Sequence, residues 1–156
     1  MRVAKKEILD RAAVDAILRD SAVGRLATNG NDGYPMIKPL NYVYCNGSLY
    51  FHSALEGEKM ESIVHDNRVC FEVDIPVKYV ESNREPCSAS YRYRSVIVKG
   101  NASIVEDVDM KVSALTALMD KYQPTGGYGS FRKEKLDITA VVKIDIVEIK
   151  GKEDLR

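Results

Sequence analysis

Between Thr139 and Lys150 the chain changes its apolar face in the middle of a strand. Val142, Ile144 and Ile146 fall on one side, and Val147 and Ile149 on the other. Side chains alternate along a strand with a period of two, so a one-residue slip marks a β-bulge or a sharp coil. Closed or nearly closed barrels need bends of this kind.

The preceding sequence supplies strands for such a barrel. β-branched and aromatic residues come in short runs separated by turn residues. Val23 to Thr28 reads as a strand, Asn29 to Gly33 as a turn, and Pro35 to Cys45 as a long strand. Asn46-Gly47 is a type I′ hairpin signal leading into a strand from Ser48 to Ser53. Arg68 to Val73 alternates cleanly, residues 74–87 read as irregular, and Ser88 to Val105 reads as a long strand bent at Gly100.

Three helices interrupt this meander. Asp10 is a candidate N-cap for a helix to about Arg19, with Val14, Ile17 and Leu18 on one face. Glu56 to Asp66 carries Met60, Ile63 and Val64 at helical spacing. Asp107 to Tyr122 carries Val108, Val112, Leu115, Leu118 and Met119, a stripe that reads as core packing rather than a partner groove. Tyr122 to Gly129 is a loop and a candidate lid. The expected fold is α+β and mainly β: about six antiparallel strands in a small barrel with flanking helices.

At 156 residues and 45% hydrophobic content, one domain with one sizeable core is expected. Basic and acidic residues balance at 23 each, so no overall field favours nucleic acid or an acidic membrane. No stretch reaches the roughly 18 consecutive apolar residues of a membrane span, and the first thirty residues lack a signal-peptide core. Cys45, Cys70 and Cys87 are odd in number and never closely paired, which favours free thiols in a reducing, cytoplasmic setting. With His52 and His65 the only histidines, and no CxxC or HExxH, no metal centre is expected.

The junction Tyr50-Phe51-His52-Ser53-Ala54-Leu55-Glu56-Gly57-Glu58-Lys59 begins as a strand and ends as a helix start. Ser53 and Glu56 fit a capping box, in which case Gly57 and Lys59 are incidental. The same residues also suit a phosphate. Free amides, a glycine that permits close approach, a hydroxyl and an ammonium would converge on it. A lysine in a first helical turn opposes the helix dipole, which an anion would offset.

Two further stretches carry chemistry. In Pro35 to Val43, Pro39 cannot donate to a ladder, so pairing is expected to break there. The freed backbone groups belong either to a barrel-edge bulge or to the imide edge of a planar heterocycle. In Tyr91-Arg92-Tyr93-Arg94-Ser95, Arg92 and Arg94 share one face, which is either solvated or a fork for phosphate or carboxylate.

The segments RLAT (25–28), PLNYVY (39–44), YFHSALEGEKMESI (50–63) and YRYRSVIVKGNA (91–102), in this order, resemble the pyridoxamine 5′-phosphate oxidase-related flavoproteins, in particular the nitroimidazole-resistance-like branch. The resemblance spans about residues 5–150. It implies a six-stranded antiparallel split β-barrel that is homodimeric and binds FMN in grooves at the subunit interface. Carried over, His52, Ser53 and Lys59 lie around the FMN phosphate, with Glu56 and Gly57 shaping the turn. Pro39, Leu40, Asn41 and Tyr42 line the isoalloxazine ring, largely through backbone. Arg25, Leu26, Ala27 and Thr28 run beside the ring and ribityl chain, and Arg94 and Ser95 contribute from a neighbouring strand or the other subunit.

The chain lacks a recognisable C-terminal substrate segment of true pyridoxamine-phosphate oxidases and contains no tryptophan, which speaks against vitamin B6 oxidation. The blandest reading is an apo barrel acting as an interaction scaffold, and two functions stay open beside it. One is a flavin-dependent oxidoreductase acting on a small aromatic or nitro compound, with NAD(P)H as a possible donor and His52 placed for proton transfer, substrate contact or a bond to the phosphate. The other is a non-catalytic protein that stores or senses FMN, or holds haem.

Overall fold

The computed structural model describes residues 4–155. Its strands are β1 (Glu7–Ile8), β2 (Gly24–Asn29), β3 (Pro35–Leu40), β4 (Val43–Cys45), β5 (Ser48–Ala54), β6 (Arg68–Val80), β7 (Ser90–Ile104) and β8 (Thr139–Asp154). They form one antiparallel sheet in the order β3-β2-β6-β7-β8-β5-β4, with β1 added on β8. Eight strands therefore replace the expected six. The sheet curls without hydrogen-bonded closure between its terminal strands β3 and β4, which makes a mainly β split barrel.

The bend that the sequence demanded in the last strand lies where β7 and β8 pair. Lys99 faces Glu148 while Gly100 faces Ile146, so Val147 is the extra, bulged residue. Gly100 sits at the same irregularity. A Cβ there would meet the Asp145 carbonyl oxygen at 2.6 Å, so only glycine lets the strands approach.

The principal core fills the inner side of the curled sheet with Leu26, Leu49, Phe51, Phe71, Val73, Val96, Val98, Val142 and Ile144. Helix α1 (Arg11–Asp20) contributes Val14, Ile17 and Leu18, and helix α2 (Glu58–His65) contributes Met60 and Ile63. Asp10 caps α1 by accepting from the Ala12 amide at 2.9 Å. Helix α3 (Val108–Tyr122) packs on the other side of the sheet, where Ala114 and Leu118 meet Val43, Tyr50 and Val141. Only part of its apolar stripe is used in this way, since Val108 is exposed. A four-residue helix, α4 (Lys133–Leu136), leads into β8.

Several boundaries differ from the sequence reading for identifiable reasons. Pro39 does not break pairing: it lies opposite Arg25. Because β3 is an edge strand, its outer backbone row has no strand partner and a missing amide there costs nothing. The break falls instead at Asn41 and Tyr42, between β3 and β4. Residues 74–80 are not irregular but continue β6 against β7, through a register shift between Pro76 and Lys78. The Asn46-Gly47 turn has positive φ at both residues, 51° and 75°, as a type I′ hairpin requires. Cys45, Cys70 and Cys87 are free thiols. Among the described residues no helix is long and apolar enough to cross a membrane.

Candidate functional site

Strand β5 delivers its end to the split in the barrel, and α2 starts immediately beyond. The expected capping box does not form. β5 runs on through Ser53, which pairs with Ala140, and Gly57 takes the N-cap position. Gly57 has φ of 111°, and space is open where a Cβ would stand. Among the described residues no side chain caps this helix, so the first-turn amides ahead of Met60 are left for water or a ligand.

Two ammonium groups come together at this corner. Lys59 rests 5.2 Å from the centroid of the Phe51 ring, half-buried and without a carboxylate partner among the described residues. Burial, and then the neighbouring charge of Lys38, pull its pKa below the ordinary lysine value. Lys38 comes from β3, on the opposite edge of the split, and reaches Glu58 at 3.1 Å. The sequence reading overlooked Lys38, although a signal was present. It is the only charged residue between Pro35 and Cys45 and shares the phase of Met36 and Leu40, opposite the buried Leu26.

The other expected site residues are dispersed. Leu26 is a core side chain and Thr28 is buried. Arg25 is occupied by Glu72 at 3.1 Å and by Asp74. Ala27 and Thr28 line a groove of about 600 Å³ on the outer sheet face with Arg68, Cys70, Lys99 and Val147. Arg94 bonds Glu153 at 3.2 Å and lines a cavity beside α1, while Ser95 alternates to the other face. Pro39 and Leu40 sit on the edge strand, and Glu56 lies in the bend before α2.

Tyr42 is fully buried. Its hydroxyl donates to the Leu18 carbonyl at 2.6 Å, and burial raises its pKa far above the ordinary tyrosine value. Its backbone is equally engaged: the amide donates to the Tyr122 hydroxyl at 3.0 Å, and that hydroxyl directs its single proton to the Ala22 carbonyl at 2.7 Å, with the Tyr42 carbonyl 3.1 Å away as the alternative acceptor. Asn41 and His52 stand at the rim of a second cavity of about 280 Å³ between α3, α4 and β5.

Lys121 completes the fastening of α3 to this region. Its ammonium lies 3.8 Å from the Tyr42 ring centroid and donates to the Ser21 carbonyl at 2.8 Å. Burial lowers its pKa to about 8, an effect that the negative charge of Asp20 partly opposes. With the folded value below the ordinary 10.5, the unfolded chain holds this proton through a range where the folded chain sheds it. The Lys121 contribution to stability therefore rises as pH increases from about 8 toward 10.5. Urea melts of the wild type and Lys121→Met across this range should show a pH-dependent difference between the two; parallel curves would contradict the shift.

Proteins of known structure share this architecture. A 5-nitroimidazole antibiotic resistance protein, so assigned as a candidate, from Bacteroides thetaiotaomicron is 27% identical, with a TM-score of 0.83 over 94% of this chain and 86% of its own. The flavocytochrome Anf3 from Azotobacter vinelandii superposes with a TM-score of 0.89 at 21% identity, over 100% of this chain and 72% of its own. An FAD and haem binding protein from Mycobacterium smegmatis gives 0.87 at 21%, over 97% and 74%. No curated protein matches the sequence. The family described as pyridoxamine 5′-phosphate oxidase matches residues 10–153, nearly the whole chain, and the chain belongs to that family.

Proposed function

We propose that this protein binds FMN at the split of its barrel and acts as a flavin-dependent oxidoreductase on a small aromatic or nitro compound, with NAD(P)H as donor, in the cytoplasm. The observation that carries the reading is the meeting of Lys38 and Lys59 at the uncapped start of α2. Two like charges held together at a helix start are unfavourable, and Glu58 neutralises only one of them. A phosphate dianion suits this donor set, with the first-turn amides and Lys59 as its partners and Ser53 and Gly57 beside them. The unpaired outer row of β3, from Pro39 toward Asn41, offers backbone groups to a flat ring.

FMN supplies the electron-transfer chemistry when bound, and the protein supplies binding, orientation and electrostatics. The His52 side chain makes no hydrogen bond among the described residues, while its backbone pairs with Val141 in the sheet, so the imidazole is free to meet substrate. The nitroimidazole-resistance assignment of the 27% identical structure favours a nitro or related aromatic acceptor. The purified protein should be yellow, with about one FMN per chain, and its flavin absorbance should bleach on anaerobic mixing with NADH or NADPH. Stoichiometric flavin that neither donor reduces would favour the second reading, a non-catalytic flavin store.

A homodimer belongs to the same reading. The outer sheet face is covered by α3 only around β4, β5 and the start of β8. Beyond that cover, Ile37, Ile97 and Val147 are exposed, at 62%, 49% and 70%, around the groove lined by Ala27 and Cys70. Charges on this face are balanced locally: Arg25 meets Glu72 and Asp74, and Lys99 meets Glu148. An apolar patch with both signs at its border can complement its own copy across a two-fold axis. Light scattering should give a dimer for the wild type and a monomer for Ile97→Asp. A flavin-loaded wild-type monomer would contradict this part of the reading.

A further inference from the structure

The cavity behind Asn41 and His52 has a lining that the phosphate corner does not explain. Its walls are apolar, with Leu115 and Met119 from α3 and Phe131 from the segment ahead of α4. At its rim stand Asn41, His52 and Lys135, none of which has a hydrogen-bond or ion-pair side-chain partner among the described residues. All three can donate, Lys135 carries a full positive charge, and among the described residues no acidic one lines the cavity. The remaining polar lining is already used: Tyr122 bonds Ala22 and Tyr42, and the Thr139 hydroxyl donates to the Lys135 carbonyl at 2.7 Å.

The walls are also fixed in place. Lys111 of α3 donates to the Leu136 carbonyl at 2.5 Å, tying α4 to α3, and the Tyr122 bonds tie the end of α3 to the β3–β4 break. A volume of about 280 Å³ lies just below the range that takes drug-sized ligands, which leaves room for one or two fused rings.

We infer that this cavity binds a small aromatic anion, its ring system between α3 and Phe131 and its carboxylate or equivalent oxyanion toward Lys135 and His52. The inference rests on the flavin reading only in making this occupant the partner of the cofactor, through Asn41, which the cavity and the proposed ring edge share.

The test is a fluorescence titration of the purified protein, with its flavin content recorded, using 2-naphthoate and its neutral isostere 2-naphthylmethanol. Saturable binding of naphthoate at one site per chain is expected. Lys135→Met should weaken naphthoate roughly 10-fold or more while leaving the alcohol within about twofold, because only the charge-assisted contact is lost. Met119→Trp, which fills the cavity, should abolish both; where it fails to fold, the Lys135→Met comparison stands alone. Absence of saturable binding, equal loss of both probes in Lys135→Met, or a haem Soret band that disappears in His52→Ala would overturn the assignment. Flavin-loaded protein that ignores naphthoate would sink this inference and spare the cofactor reading; flavin-free protein would do the reverse.

Discussion

Lys59→Ala is expected to weaken FMN binding roughly 10- to 100-fold and to leave riboflavin binding unchanged, because a charge-assisted contact to phosphate contributes about 1.5–3 kcal/mol. Riboflavin lacks the phosphate, so the pair of ligands isolates the corner where α2 begins. The structural cost of the substitution is small, since the Lys59 ammonium makes no hydrogen bond or ion pair among the described residues, lies over the Phe51 ring, and is already disfavoured by burial and by Lys38. Removing it should even relieve some of that repulsion in the ligand-free protein.

Lys38→Ala should act in the same direction but less strongly. Its ammonium is more exposed and is partly neutralised by Glu58. Glu58→Gln should tighten FMN, since it removes a carboxylate from the place where a dianion is proposed to sit. All three effects should shrink as ionic strength rises, the Lys59 effect least, because a half-buried charge is screened less. The measurement is a flavin-fluorescence titration at two salt concentrations. Equal FMN affinity in the wild type and the Lys38→Ala/Lys59→Ala double variant would place the phosphate elsewhere.

Much of this corner was legible in the sequence, but for a reason that needed correction. Gly57 and Lys59 were visible because a strand ended and a helix began within ten residues. The capping box was also visible, and it was the misleading part: β5 extends through Ser53, and a glycine at positive φ caps the helix instead. Lys38 went unread because a lone lysine in a strand is ordinarily solvated. Only the curl of the sheet, which carries β3 round to α2, makes it a neighbour of Lys59.

The same division runs through the fold. The Asp10 cap, the Asn46-Gly47 hairpin and the Val147 bulge obey local rules of spacing and backbone conformation, and each lies where those rules put it. The continuation of β6 beyond Val73 does not follow from local pattern. Asp74 to Val80 loses its alternation because it pairs chiefly with one neighbour and carries an irregularity after Pro76. The cavity at His52 is wholly tertiary: α3 and β5 are far apart in sequence, and the stripe of α3 reads the same whether it meets a core or a void.

Gly24→Ala is expected to be the most damaging small substitution in the barrel, and it tests how tightly the core beneath the proposed flavin edge is packed. A methyl group at this position would stand 2.0 Å from the Phe71 ring, well inside contact distance. Phe71 has little room to yield. It is fully buried, and its ring meets that of Tyr42 edge-on with centroids 4.7 Å apart. Tyr42 is in turn held by its bond to Leu18 and by the Tyr122 bridge. Overpacking of this kind costs about 1–3 kcal/mol or more, and emptying the site with Phe71→Ala costs about 3–5 kcal/mol. The informative variant is the combination of Gly24→Ala with Phe71→Leu, in which the smaller side chain makes way for the methyl. Urea melts should show the double variant less destabilised than the sum of the singles, a coupling expected only for residues in contact. Because Tyr42 adjoins Asn41, Gly24→Ala should also weaken FMN, with recovery in the double variant. Strict additivity would mean that the ring moves aside freely, and that the core does not hold the flavin edge in place.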